Sequence, residues 1–147
     1  MTTMRLPRRL ILITAVVAMT LAACVPGAVP GLRFIDGQTW SARFDVEVRP
    51  AGLATIRLPV DLALTFSQQL NQVTANATLQ YDAGIFRLQS PSIIELNGRL
   101  GLDDHLNLES GSNVLTFEGN FVGDKLVGTV AIAGVVPVSN VTFTRAR

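Results

Sequence analysis

From Trp40 onward the sequence alternates apolar and polar residues, a period of two that belongs to an extended strand with one buried face. Trp40, Ala42, Phe44, Val46 and Val48 alternate with Ser41, Arg43, Asp45, Glu47 and Arg49. Ile56, Leu58, Val60, Leu62, Leu64 and Phe66 then alternate with Arg57, Pro59, Asp61, Ala63 and Thr65. A helix would bury residues three and four apart, and neither stretch has that spacing. Between them Arg49-Pro-Ala-Gly-Leu53 supplies the residues of a turn.

The rest of the chain threads as antiparallel hairpins that keep one face apolar. Val73, Ala75, Ala77, Leu79 and Tyr81 make a third strand, followed by a turn and a short segment with Phe86 and Leu88. Ile94, Leu96, Gly98, Leu100 and Leu102 follow the Ser90-Pro91-Ser92 turn, and Asp103-Asp104-His105 turns the chain into Leu106 and Leu108. Leu115, Phe117, Gly119 and Phe121 come next. A hairpin at Val122-Gly-Asp-Lys125 then leads to Leu126, Gly128, Val130 and Ile132. A last strand, about Val138 to Arg145, carries Val141 and Phe143. This pattern predicts an all-β domain: an antiparallel meander of about eight or nine strands closing into a small up-and-down β-barrel, with a β-sandwich as the alternative.

The hairpin at 122–125 also predicts a register. Pairing Phe121 with Leu126 sets Gly119 opposite Gly128 and Phe117 opposite Val130, and every partner then falls on one face. Glycine facing glycine removes bulk where a sheet bends sharply.

The first 24 residues are of another kind. Arg5, Arg8 and Arg9 precede an apolar run from Leu10 to Leu21, which is short for a membrane-spanning helix of about 20 apolar residues. A charged start, an apolar core and small residues before a cut make a secretory signal. Leu21-Ala22-Ala23-Cys24 resembles the lipobox of bacterial lipoproteins. The resemblance implies cleavage between Ala23 and Cys24 and acylation of Cys24 by chains such as palmitate. It implies a bacterial cell-envelope address, with Val25 in place of aspartate favouring the outer membrane where the host has two. The expected organisation is a signal peptide over 1–23, a lipid-anchored Pro/Gly tether over 24–35 and an all-β domain over 36–147.

Removing residues 1–23 also removes three arginines, so 12 basic against 11 acidic residues becomes nine against eleven. The basic balance belongs to the discarded segment, and the chain has no basic run suited to nucleic acid. Cys24 is the sole cysteine, so an acylated chain forms no disulfide and depends on packing.

Alternation does not say which face points inward. In a barrel surrounded by water the aromatic residues fill the lumen, whereas in a transmembrane barrel they face lipid. A lipid anchor is redundant on a membrane-spanning barrel, several of the expected strands are short of the 9–11 residues that spanning needs, and the aromatics form no interface belts. The water-surrounded arrangement is therefore expected. Its lumen would be lined by Trp40, Phe44, Phe66, Tyr81, Phe86, Phe117 and Phe143. Such a lumen is either filled by its own side chains or holds one small apolar molecule.

Phe34-Ile-Asp-Gly37-Gln-Thr-Trp40 resembles the start of lipocalins, where glycine and tryptophan open the first strand of an eight-stranded barrel. Here two residues, Gln38 and Thr39, separate Gly37 from Trp40, and Arg145 is a loose counterpart of the arginine that closes that fold. The resemblance covers about seven residues and implies a lipocalin-like barrel that binds a fatty acid, phospholipid or other apolar molecule.

Catalytic chemistry is not indicated. There is no Gly-x-Ser-x-Gly elbow, no phosphate-binding glycine loop, and a single histidine, His105. Asp103-Asp104-His105 is the one run of metal-ligand types; three adjacent residues in a tight turn do not converge on one ion, so a solvated turn is expected and no metal or cofactor. The expected role is non-catalytic binding, of an apolar ligand in the lumen or of envelope partners through an outer apolar patch drawn from Val122, Val127, Val135 and Val136.

Overall fold

A computed structural model describes residues 29–49, 51–81 and 91–147. Eight strands follow in order: β1 (Thr39–Val48), β2 (Ile56–Gln69), β3 (Gln72–Tyr81), β4 (Ser92–Leu100), β5 (His105–Ser110), β6 (Leu115–Val122), β7 (Lys125–Ile132) and β8 (Val138–Arg145). Each pairs with its sequence neighbour and β8 returns to β1, so the sheet closes into a barrel; all pairings are antiparallel. Of the two architectures compatible with the alternation, the barrel is the one formed. Among the described residues there are eight strands, within the expected eight or nine, and β3 pairs directly with β4 from Gln72↔Arg99 to Leu79↔Ser92. The segment with Phe86 and Leu88, expected as a short strand, lies outside the described residues.

The period of two is realised as expected. Val46, Val60, Leu62, Leu64, Leu96, Leu106, Leu108, Leu126 and Phe143 are all but inaccessible, and they form one core with the remaining inward side chains. Arg43, Asp45, Asn76, Glu95, Asn97, Asn107, Glu109 and Glu118 alternate with them on the outer wall and are exposed. The apolar face therefore points into the lumen. Tracing paired residues from Trp40 through Leu64, Ala77 and Ile94 around the ring returns to the level of β1 about ten residues away. That stagger gives tilted strands and an interior about as wide as side chains can fill.

The β6–β7 register is the expected one: Phe121↔Leu126, Gly119↔Gly128 and Phe117↔Val130. The glycines also have a packing reason. A Cβ on Gly119 would lie 2.7 Å from Gly128 Cα and 2.7 Å from Phe117 Cζ, and one on Gly128 would lie 2.8 Å from the same ring atom. The Phe117 ring thus covers the glycine pair, filling with one aromatic the space two side chains would need. Farther along, the β7–β8 register shifts between Gly128↔Val141 and Val130↔Val138, giving β8 one extra residue. Asn140, at φ 59°, takes the left-handed conformation within that bulge, and Val141 and Phe143 stay inward.

The two ends differ. The near end gathers the β2–β3, β4–β5 and β6–β7 turns with residues 29–38, which lead into β1. The far end gathers the β1–β2, β5–β6 and β7–β8 connections. Leu102, expected on the apolar face of the fourth strand, lies instead in the near-end turn: β4 stops at Leu100, Gly101 N donates to His105 O, and Leu102 is 67% exposed. The alternation runs past the strand end because turn geometry, not periodicity, decides where pairing stops.

Candidate functional site

Residues before β1 build a cap over the near end. Ile35 is 1% exposed and its N–H donates to Gln68 Oε1 at 2.8 Å. Gln68 Nε2 donates in turn to Arg33 O at 3.0 Å and to Leu70 O at 2.8 Å, tying the entering chain to the β2–β3 turn. Asp36 Oδ1 accepts from Gln68 N at 2.8 Å, and Gly37 N donates to Phe66 O at 2.9 Å. The packing of the domain thus reaches back to Leu32, into the stretch expected as the last part of the tether.

Arg33 reaches the neighbouring turns. Its Nε and Nη2 donate to Asp104 Oδ1 and Oδ2 at 3.1 and 3.0 Å, and Nη1 donates to Gly123 O at 3.2 Å. The guanidinium carbon stands 4.9 Å from the centroid of Phe121, whose ring meets Trp40 edge-on at 5.3 Å. Trp40 Nε1 donates to Gln38 Oε1 at 3.2 Å. Hydrogen bonding to Asp104 holds the guanidinium pKa above its ordinary value, with the carboxylate charge adding to the effect and desolvation opposing it. Arg145, the loose counterpart of a closing arginine, pairs backbone to backbone with Trp40 and is exposed; the guanidinium over the end aromatics comes from Arg33.

The residues expected to line a ligand site are spread along the lumen. Trp40 and Phe66 are buried toward the near end, Phe117 and Phe143 meet edge-on at 5.4 Å, and Phe44 and Tyr81 are half-buried toward the far end. Phe86 lies outside the described residues, as do Ala23 and Cys24. At the far end Val48, Leu58 and Ile94 join Phe44 and Tyr81 as half-buried apolar residues against the core. Burial raises the Tyr81 phenol above its ordinary pKa by disfavouring the phenolate. The outer wall carries shallow hollows. One of about 430 Å³ lies over Gly98 between Gln72, Thr74, Asn97, Arg99, Asn107 and Glu109.

No protein-family profile, curated protein or solved structure matched this chain.

The Asp103-Asp104-His105 turn is not simply solvated. Asp104 belongs to the Arg33 clasp, while His105 Nδ1 lies 2.8 Å from Asn120 Oδ1 and Nε2 lies 3.5 Å from Glu118 Oε1. Among the described residues, no three His, Cys, Asp or Glu side chains form a group that could hold a metal ion. Of the valines expected in an outer patch, Val122 and Val136 are exposed at opposite ends, whereas Val135 packs against the core and Val127 is half-buried. Sequence reasoning missed Arg33, Ile35 and Gln68 as cap residues. The stretch before β1 has no periodicity, and its isoleucine and arginine carry no sequence mark of the contacts they make.

Proposed function

We propose that this chain is a bacterial envelope lipoprotein, acylated on Cys24, whose barrel is a non-catalytic binding platform for other envelope components. The lipobox-like Leu21-Ala22-Ala23-Cys24 supports the anchor, and Val25 supports delivery to the outer membrane of a two-membrane host. The observation that carries the platform reading is the interlocked lumen. Phe117 against Phe143, and Trp40 against Phe121, occupy with edge-on aromatic pairs the space a carried molecule would need.

A second reading has its own observation. Phe44, Val48, Leu58, Tyr81 and Ile94 leave a half-buried apolar mouth at the far end, suited to part of a fatty acid or phospholipid chain.

Native mass spectrometry of the full chain, extracted gently from its host envelope, separates the two. A bare acylated chain that takes up no added fatty acid or phospholipid supports the platform. A reproducible extra mass, lost on denaturation and retained in Cys24→Ser, makes the carrier reading primary. A chain without acyl groups overturns the anchor in either reading.

A further inference from the structure

The near end of the barrel exposes large apolar side chains at its tips. Phe34 is 69% exposed, Leu70 56% and Leu102 67%, with Val122 beside them on the last residue of β6. Hydrogen bonds place them on one surface. Gln68 joins the segment holding Phe34 to the turn holding Leu70, and Arg33 joins it to the turn holding Leu102 and to Gly123, next to Val122.

The far end also exposes apolar side chains, Leu53, Ile93 and Val136 among them. Two observations single out the near end. The first is backbone strain. Leu70-Asn71 and Gly123-Asp124 are both two-residue hairpin loops, flanked by the pairs Gln69↔Gln72 and Val122↔Lys125. Gly123 takes φ 62° at the first loop position, where a glycine is at ease, and Leu70 takes φ 56° at the equivalent position. A leucine is thus held in a conformation that L side chains avoid, with its side chain in water, which helps neither stability nor solubility. The second is where the chain enters. The described residues begin with Val29 at this end, five residues after Cys24, and that much chain reaches at most about 18 Å.

We propose that the near end is a membrane-docking surface, with Phe34, Leu70 and Leu102 entering the interfacial layer of the bilayer that holds the Cys24 anchor. This rests on the lipoprotein reading above. The acyl chains supply attachment; the three side chains add apolar contact and fix which end of the barrel meets the membrane. Asp103 lies beside Leu102, and Asp124 and Lys125 lie beside Val122, so charged side chains ring the apolar tips and keep the contact shallow.

The test uses the full chain made in a bacterial host, with its intact mass recorded, reconstituted into phosphatidylcholine vesicles brominated near the glycerol end of the acyl chains. Phe34→Trp and Leu102→Trp report the near end, Ile93→Trp reports the far end, and the wild type sets the background from Trp40, its one tryptophan. The proposal expects both near-end tryptophans to lose roughly half of their added emission, and the Ile93→Trp signal to remain. An acylated, co-floating protein whose near-end tryptophans are unquenched overturns the docking surface and leaves the anchor standing. Equal quenching at Ile93→Trp overturns it too, since the barrel would then lie on its side or be immersed. A chain that lacks acyl groups and stays off the vesicles overturns both anchor and docking surface.

Discussion

Arg33 clasps Asp104 through two parallel hydrogen bonds, 3.1 and 3.0 Å long, across 71 positions of sequence. The fork fits the carboxylate edge to edge, and the same guanidinium rests over Phe121. An ammonium keeps the charge but loses the fork and the stacking. Arg33→Lys is therefore expected to lower unfolding free energy by about 1 kcal/mol, a modest figure because both partners are part-exposed. Urea denaturation of Arg33→Lys, Asp104→Asn and the double variant checks it, and strict additivity would show that the pair is not coupled.

Gly119 and Gly128 face each other beneath the Phe117 ring. Adding a methyl group to either drives it against backbone and ring together. Gly119→Ala and Gly128→Ala are each expected to destabilise by about 2 kcal/mol, in the range for overpacked cores. Combining either with Phe117→Leu should recover part of the loss; no recovery would place the clash wholly in the backbone.

Leu70 occupies a glycine-type turn position. Leu70→Gly is expected to raise stability by roughly 1 kcal/mol, the left-handed strain relieved less the added unfolded-state entropy. The same change should weaken docking of the acylated chain on phosphatidylcholine vesicles, read as reduced quenching at Phe34→Trp. Lower thermal stability of Leu70→Gly would refute the strain.

Tyr81 is the sole tyrosine, so its titration can be followed at a single absorbance band. Burial raises its folded pKa above the ordinary 10.0, and unfolding restores that value. The folded state therefore holds the proton more tightly. This contribution is fully present below about pH 10 and is lost as pH rises through the folded pKa. Absorbance titration should give a midpoint above 10 that falls back in urea, and Tyr81→Phe should remove this part of the alkaline loss. An unshifted midpoint would mean that the phenol is open to water.

The strands were legible because a sheet with one buried face imposes its period directly on the sequence. Register was legible at β6–β7, where a glycine pair and a two-residue loop leave one consistent alignment. The barrel's closed end was not. Arg33, Ile35 and Gln68 meet through long-range hydrogen bonds that no local pattern announces, and Leu102 kept the alternation one step beyond the end of its strand. Of the expected lining residues, Trp40, Phe66, Phe117 and Phe143 are buried in the lumen, while Phe44 and Tyr81 stand half-buried toward its far mouth. Alternation assigns a side to each residue but no depth along the axis. The positive φ of Leu70 leaves no trace in composition.

Closure itself constrains biogenesis. All ladders but one join successive strands, and the remaining one joins β8 to β1 through Trp40↔Arg145 and Ser41↔Thr144, with Ala146 N donating to Thr39 O. A chain that folds as it emerges, N-terminus first, can build its hairpins one by one, yet the free edge of β1 waits for the last strand. During that interval the nascent protein presents a strand edge able to recruit other strands, and completion withdraws it. Loss of β8 should therefore turn a self-contained ring into a nucleus for aggregation, which makes premature termination more hazardous than a core substitution of equal energetic weight.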